Sequence, residues 1–308
     1  MGPLPHSDAS VQLRLLDGGS LMAEMNKLHQ GAPNYRFRMY DWAFHIFHPK
    51  LDRHVLWDVG IDGNPDVYPD WVQAHIFGDV HPVGPRISLQ EQLQGHGVSS
   101  AQIDSVLFSH AHFDHARPIK DIFPNATGYF GPGTKEHCTP GHLRDPGLQW
   151  DGRFFDPEKA TENWKEFEGP WVPFGPFERA MDFFGDGSFF VVQAPGHMPG
   201  NLCAVARVEG GNWILLGSDC CHSRELLDGK FDFAVFEAPN GVKMCLQSDI
   251  PAAKGTISRI KQLEDLGVHV ALAHDTTWIK DGTDAVLMGL LDGGMMASVD
   301  NILKGERP

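Results

Sequence analysis

The order of apolar and polar positions predicts short strands separated by a few helices. Alternation, β-branched residues and short apolar runs without a helical period indicate the strands. They cover residues 11–16, 43–47, 54–58, 103–109, 188–193, 202–208, 213–217 and 268–273. A capping box at Ser88-Leu-Gln-Glu91 begins a helix to about Leu93, and apolar spacing predicts a second helix at about Pro251–Leu266. Strands in two groups, with helices between and after them, favour two sheets packed face to face with helices outside.

One long stretch between the two groups of strands has a different composition. Residues Thr139–Gly187 are rich in Pro, Gly and aromatic side chains, and the rest of the chain contains no separable linker or internal repeat. Long connections of this kind usually have a function, so we expect a lid or a pocket wall. The alternative is an insertion that packs its own aromatic side chains onto the body of the protein.

Composition and charge exclude several classes of protein. The 308 residues are 42% hydrophobic and 21% charged, which is typical of a globular protein and excludes general disorder. A net charge of −15 without a basic cluster argues against nucleic acid as a partner. No apolar run approaches the ~18 residues of a membrane span. The first residues lack the pattern of a secretory signal, and the five cysteines, two of them adjacent at Cys220 and Cys221, fit a reducing compartment. We therefore expect a cytoplasmic protein.

Histidine, with 17 residues, provides the candidate chemistry. The segment Ser109–His115 follows a predicted strand, and His110 and His112 lie two positions apart, so they project to the same side. Asp114 and His115 follow where the chain must turn. Imidazole nitrogens and carboxylate oxygens suit Zn²⁺ and similar ions. Because these four residues exceed what one tetrahedral ion accepts from so short a segment, two ions are expected.

This His-x-His-x-Asp-His pattern after an apolar strand resembles the signature of the metallo-β-lactamase superfamily. The resemblance predicts further ligands downstream, and they occur in order, each after a predicted strand: Ala194-Pro-Gly-His197, Gly217-Ser-Asp219 and Ala273-His274-Asp275. It implies an α/β fold of the four-layer αββα sandwich type, as a single hydrolase domain over residues 1–308 with the 139–187 segment as a lid insertion.

The resemblance also implies how the ligands are divided. Metal 1 would be held by His110, His112 and His197, and metal 2 by Asp114, His115 and His274, with Asp219 bridging. Two Zn²⁺ ions per chain are expected, although other divalent metals are possible. Two cations ~3.5–4 Å apart can hold a hydroxide between them at neutral pH. Asp58 would orient a ligand histidine, or it is simply a turn residue at the end of a strand.

Within the superfamily, the chain is most similar to the N-acyl-homoserine-lactone lactonases and related lactone hydrolases. The likeness rests on Leu16–Leu21, His112–Ala116, Ala194–Gly200 and His274-Asp275. The family carries a Tyr three residues after the bridging Asp, which hydrogen-bonds the substrate carbonyl, whereas this chain has His222. It also has Asn201 where a His is common.

We therefore expect a dinuclear zinc hydrolase that opens a cyclic ester or a cyclic amide through a metal-bridging hydroxide. His222 would donate a hydrogen bond to the developing oxyanion, and Asp114 would pass the proton onward. The partner would be a small molecule, an apolar or aromatic lactone or lactam, with neither nucleic acid nor membrane involved. Which ring is opened stays undecided.

Two other activities remain open on the same fold. A glyoxalase-II-like thioesterase would need a basic pocket for a charged thiol carrier, and the chain around the motifs is not basic. A di-iron oxidoreductase usually replaces one histidine of the first motif with a carboxylate, whereas His110 and His112 are both present. His45, His48 and His54 lie in or beside strands and are interpreted as packing or surface residues.

Overall fold

The computed structural model describes residues 2–238 and 241–308. The chain divides into two compact units that alternate along the sequence. Unit 1 comprises the described residues of Met1–Ser10, Met22–Met39 and Gly169–Met288, and unit 2 comprises Val11–Leu21, Tyr40–Glu168 and Gly289–Pro308. One six-stranded sheet lies in unit 1, and the other lies mostly in unit 2.

The sheet of unit 2 mixes antiparallel and parallel pairs. Its strands are β1 Gln12–Glu24, β2 Arg36–His48, β3 Arg53–Trp57, β4 Ile103–Leu107, β5 Thr127–Phe130 and β6 Trp164–Glu166, in that spatial order. β2 and β3 are antiparallel, whereas β3, β4, β5 and β6 run parallel. Because parallel strands are buried on both faces, they need nearly continuous apolar residues, and Val55, Leu56, Val106 and Leu107 are fully buried.

The sheet of unit 1 is mainly antiparallel. Its strands are β7 Val172–Phe174, β8 Phe177–Asp182, β9 Phe189–Gln193, β10 Leu202–Arg207, β11 Trp213–Leu216 and β14 His269–Ala271, with the spatial order β14-β11-β10-β9-β8-β7. β11 and β14 are parallel. Two further strands, β12 Phe236–Glu237 and β13 Lys243–Met244, pair only with each other. Phe174, Phe190, Cys203 and Leu215 belong to the apolar core on which this sheet packs.

The α-helices are mostly short. They are α1 Met25–Leu28, α2 Asp70–Val72, α3 Gly78–Val80, α4 Leu89–Gly95, α5 Thr134–Cys138, α6 Gly152–Phe155, α7 Arg224–Leu227, α8 Ile250–Asp265, α9 Thr277–Asp281, α10 Ala285–Met288 and α11 Gly293–Leu303. A π-helical stretch, Gln73–Phe77, joins α2 to α3, and 3-10 turns occur at Pro65–Val67, Ser100–Gln102, Glu209–Gly211 and Ser218–Cys220. None of the helices in the described part of the chain is long and apolar enough to cross a membrane.

The two predicted helices are confirmed together with their end signals. The side chain of Ser88 accepts a hydrogen bond from the Glu91 amide and so begins α4, as the capping box predicts. Asp249 begins α8 in the same way, and Pro251 occupies its first turn, where a missing N–H costs nothing. α8 buries Ile260 and Leu263, and the helix ends before Gly267 at φ +86°.

The predicted strands also occur, although some begin or end elsewhere. β1 and β2 are much longer than predicted, whereas β4 ends at Leu107. The segment 139–187 contains α6 and the strands β6, β7 and β8, so part of it belongs to the sheets. Its Phe154 packs against Phe108 and Phe130 in unit 2, and its Phe174 packs against Trp213 in unit 1. Its role as a lid, and the single domain over 1–308, stay predictions.

Candidate metal centre

In unit 2 the candidate ligands follow the carboxyl ends of two parallel strands. Asp58 comes directly after β3, and the Ser109–His115 segment begins two residues after β4. Because β3 and β4 are parallel, their carboxyl ends lie at the same edge of the sheet. Asp58 adopts φ +58°, a conformation that Asp tolerates better than most residues, and the chain turns there.

Asp58 is fully buried and contacts Nδ1 of His115. Its Oδ2 atom lies 2.9 Å from Nδ1 of His115, and its Oδ1 atom accepts a hydrogen bond of 2.7 Å from the amide of Ser109. Burial raises the pKa of Asp58, and the contacts with His115 and Ser109 oppose that rise. An ionised Asp58 accepts from Nδ1 of His115 and so favours the tautomer in which Nε2 presents its lone pair. Asp58 thus contacts a candidate ligand histidine, as the first of the two interpretations requires, and its role in orienting that histidine stays a prediction.

The other histidines of this segment lie close to His115 and to each other. Nε2 of His110 lies 3.0 Å from Nδ1 of His112, and the rings of His110 and His115 lie 4.2 Å apart. Oδ2 of Asp114 lies 3.9 Å from Nε2 of His115. Two nitrogens that bind one tetrahedral ion at ~2.0–2.1 Å are about 3.3 Å apart, so His110 and His112 have the spacing of a shared ion.

Two neighbours of this cluster carry no motif in the sequence. Asp41, on β2, is completely buried, and its carboxylate lies within 4.8 Å of a ring nitrogen of His115. Trp150, from the predicted lid segment, stacks on the His112 ring at 5.8 Å with an interplanar angle of 12°. Asp41 was missed because nothing in a strand sequence distinguishes a buried carboxylate from an exposed one.

In unit 1 the candidate ligands again follow strands that run in one direction. β9 and β11 are both antiparallel to β10, and β14 is parallel to β11, so all three strands end at the same edge. His197, Asp219 and His274 lie in the loops after these strands. The three side chains that the family resemblance implies as ligands therefore follow strands that end at one edge of the sheet.

Asp219 is the centre of this second group. Its Oδ2 atom lies 3.5 Å from Nε2 of His197 and 3.1 Å from Nε2 of His222, and its Oδ1 atom lies 3.1 Å from Nε2 of His274. All four side chains are buried. A buried carboxylate among imidazoles has the charge and the donor types that a divalent ion requires.

Local packing fixes the loop that carries His197. A Cβ at Gly196, where φ is +138°, would lie 2.4 Å from the Cα of Ala253, so only glycine lets the loop pass α8. Thr256 on the same helix donates a 2.7 Å hydrogen bond to the Pro195 carbonyl. Asn201, where a His is common in the resembling family, donates 2.8 Å to the Ala194 carbonyl and closes the loop.

The adjacent cysteines belong to the core. Cys220 and Cys221 are buried, and burial raises the pKa of the Cys221 thiol. The Cys203 and Cys220 sulfurs lie 3.1 Å apart as free thiols. A protonated thiol is a poor metal ligand, so this arrangement fits the interpretation of small buried side chains.

The structure thus brings the predicted ligands together as two groups, one in each unit. Unit 2 gathers His110, His112, Asp114 and His115, and unit 1 gathers His197, Asp219 and His274 together with His222. The histidines interpreted as packing residues are indeed buried: His45 contacts His54 at 3.0 Å, and His48 accepts from the Leu51 amide.

Comparison with known proteins gives several relatives, although no protein-family model matches the chain. The gamma-lactamase MBL2 of Gibberella moniliformis is 32% identical over 176 residues, which cover 54% of this chain and 70% of that protein. The metallo-hydrolase mfmC of Annulohypoxylon moriforme is 33% identical, with 73% of this chain and 60% of that protein covered. The cytochrome P450 monooxygenase mpaDE of Penicillium roqueforti is 30% identical across 89% of this chain. The chain spans about a third of mpaDE and three fifths of mfmC.

Among solved structures, the similarity extends over most of the chain. A Bacillus thuringiensis AiiA mutant with N-decanoyl-L-homoserine bound at its active site gives a TM-score of 0.66 at 16% identity. The match covers 89% of this chain and 96% of AiiA. AidC, a dizinc quorum-quenching lactonase, gives a TM-score of 0.57 with 89% of this chain covered. At such low identity these likenesses establish the fold.

Proposed function

This chain belongs to the metallo-β-lactamase superfamily and has its four-layer αββα fold, and from that premise we propose that it is a metal-dependent hydrolase that opens a lactone or a lactam. The observation that carries the proposal is the buried Asp219 carboxylate, which lies within 3.5 Å of three imidazole nitrogens. Buried carboxylates with several neutral imidazoles are typical of divalent metal sites in hydrolases.

The proposal assigns two Zn²⁺ ions to the candidate ligands. His110, His112 and His197 would hold metal 1, and Asp114, His115 and His274 would hold metal 2, with Asp219 as a ligand of both. The 3.0 Å approach of His110 to His112 and the orientation of His115 by Asp58 support this division. When bound, such ions activate a water molecule and polarise the carbonyl of the substrate.

The protein side chains would transfer a proton and donate a hydrogen bond to the substrate. Ring opening adds water across the C–O or C–N bond, so the attacking water loses one proton and the leaving oxygen or nitrogen gains one. Asp114, buried and 3.9 Å from Nε2 of His115, is the proposed carrier of that proton. In this scheme His222 is the proposed donor to the oxyanion. Because its Nε2 lies 3.1 Å from Oδ2 of Asp219, the alternative role of a metal ligand is argued below.

The substrate is proposed to be a small apolar or aromatic ring. The relatives named for gamma-lactamase activity, and the N-acyl homoserine lactonase AttM of Azorhizobium caulinodans at 26% identity, favour a lactone or lactam over a thioester. Trp150 beside His112 offers an aromatic face next to the ligands, which supports a pocket-forming role for 139–187. The free thiols of Cys203 and Cys220 favour a cytoplasmic location.

The test is a panel of γ- and δ-lactones, the matching lactams and thioesters of charged carriers, each assayed with the metal-reconstituted protein. We expect hydrolysis of at least one lactone or lactam series and loss of activity on chelation. Thioester hydrolysis alone would favour the glyoxalase-II-like alternative, and an iron-dependent redox reaction without hydrolysis would favour the oxidoreductase. Elemental analysis that gives one ion or fewer in active protein would rule out the dinuclear site.

A further inference from the structure

His222 is a residue type that the family resemblance does not explain. The resembling family carries a Tyr there, and a phenol with a pKa near ~10 is a hydrogen-bond donor at neutral pH. A neutral imidazole presents a lone pair on one of its ring nitrogens, so it can bind a metal. The replacement therefore changes what this position can do.

The contacts of Asp219 place His222 on a definite side of the carboxylate. Nε2 of His222 and Nε2 of His197 both face Oδ2, at 3.1 and 3.5 Å, whereas Nε2 of His274 faces Oδ1. If the two oxygens of a bridging carboxylate bind different ions, then His222 and His197 lie beside the same ion. His274 is on the other.

The spacing of these atoms fits a shared ion. Ligand atoms of His197, Asp219 and His222 all lie within 4.8 Å of one another. Neighbouring nitrogen and oxygen ligands, each ~2.0–2.2 Å from a five-coordinate ion, are about 3.0–3.6 Å apart. The measured distances of 3.1 and 3.5 Å from Oδ2 lie within that range.

The rings are also arranged around the carboxylate. His222 and His274 are parallel, with centroids 5.6 Å apart and an interplanar angle of 5°, and the His197 ring lies 5.4 Å from that of His222. His222 is buried, and it follows the 3-10 turn Ser218–Cys220 through the extended residue Cys221. The loop therefore turns His222 back toward the carboxylate that it follows in sequence.

We propose that Nε2 of His222 is a ligand of the ion bound by His197 and by Oδ2 of Asp219, in place of a donor role toward the substrate. The inference rests on the proposed function, since it assumes an ion beside Asp219. A nitrogen that binds an ion through its lone pair cannot donate a hydrogen bond from the same atom. The two roles of His222 Nε2 are therefore mutually exclusive, and experiment can separate them.

The experiment measures metal binding by the full chain, apart from its activity. Protein stripped with a chelator is titrated with Zn²⁺ by calorimetry and with Co²⁺ by visible absorption, which reports the ligands of the ion. Removing a residue that merely supports a ligand costs ~10–100-fold in affinity. Because His222→Phe removes a ligand, we expect more than about 100-fold weaker binding of one ion and an altered Co²⁺ spectrum.

Two variants and one control complete the test. His222→Cys supplies a thiolate ligand and should recover much of the affinity with a sulfur-to-cobalt charge-transfer band, whereas His222→Tyr should not recover it. His54→Phe removes a similarly buried histidine from unit 2 and should leave binding unchanged. If His222→Phe binds both ions within about threefold of the wild type, the inference is wrong. A wild-type chain that binds fewer than two ions contradicts the dinuclear proposal instead, because His222 is judged by the ratio of variant to wild-type affinity.

Discussion

Replacing Asp58 with Asn tests whether the hydrogen bond behind His115 controls metal binding. The variant has almost the same size and can keep the hydrogen bond from the Ser109 amide to Oδ1, 2.7 Å in the native chain. Its amide nitrogen then faces Nδ1 of His115, where a carboxylate oxygen lies at 2.9 Å in the native chain. Two N–H donors cannot face each other, so the His115 proton must move to Nε2, the nitrogen that binds the metal.

The loss of metal-binding free energy in Asp58→Asn follows from the two ways in which the new amide can be oriented. If the amide rotates to accept from His115, the buried Ser109 amide loses its acceptor, which costs about 1–3 kcal/mol. If the amide does not rotate, His115 keeps the wrong tautomer and its ion loses a ligand. Since 1.4 kcal/mol corresponds to a factor of ten, we expect one ion to bind ~10–100-fold more weakly.

Competition with a chromophoric chelator measures this change directly. Asp17→Asn is a matched control, because Asp17 is also a buried aspartate in unit 2 whose Oδ1 accepts a backbone amide, that of Gly19, at 2.8 Å. The melting temperature of each metal-free variant shows whether it folds. Wild-type affinity for both ions in a folded Asp58→Asn protein would refute the tautomer argument.

Three further predictions concern other parts of the molecule. Asp219→Ala should lower metal occupancy and reduce turnover by orders of magnitude, while His142→Ala should do neither; near-normal turnover of Asp219→Ala would contradict the ligand assignment. Trp150→Ala should raise KM for aromatic substrates ~2–10-fold with little change in kcat, and an unchanged KM would place the pocket elsewhere. Burial, aided by the nearby positive charge of His54, lowers the pKa of His45 to about 3. The folded state therefore binds fewer protons than the unfolded state below pH ~6.5, so stability should fall on acidification by up to ~1.4 kcal/mol per pH unit. Denaturant titrations of metal-free protein at pH 7.5 and 5.5 should show a smaller loss in His45→Phe.

The candidate ligands could be picked out from the sequence because each depends on a short stretch of it. A strand, a turn and a histidine or aspartate are adjacent in the chain, and the direction of β4, β9, β11 and β14 decides the rest. The strands β5 and β6 were missed, since four and three residues are too few for alternation to be distinguished from a loop. β5 pairs with β4 and β6 pairs with β5, and no local pattern records these contacts.

Long-range contacts explain what the sequence could not decide at Asp41 and His222. The carboxylate of Asp41 approaches His115 because β2 and β3 pair side by side, and their register is a property of the whole sheet. For His222 the sequence gives the distance from Asp219 but not the side of the carboxylate to which the loop returns. Only the position of the Nε2 atom, 3.1 Å from Oδ2, distinguishes a ligand of one ion from a ligand of the other.

Asn201, unlike His222, departs from the resembling family without changing which side chains surround Asp219. The Ala194 amide donates to the Asn201 carbonyl at 3.0 Å, while the Asn201 side chain returns a 2.8 Å hydrogen bond to the Ala194 carbonyl. These two bonds close the loop on both sides of His197, and a side chain already held in this way is unable to reach a substrate without opening the loop. The change at position 201 therefore concerns how the His197 loop is held, whereas the change at His222 concerns which atoms surround Asp219. Of the two departures, only the one at His222 is expected to alter the binding of the metal.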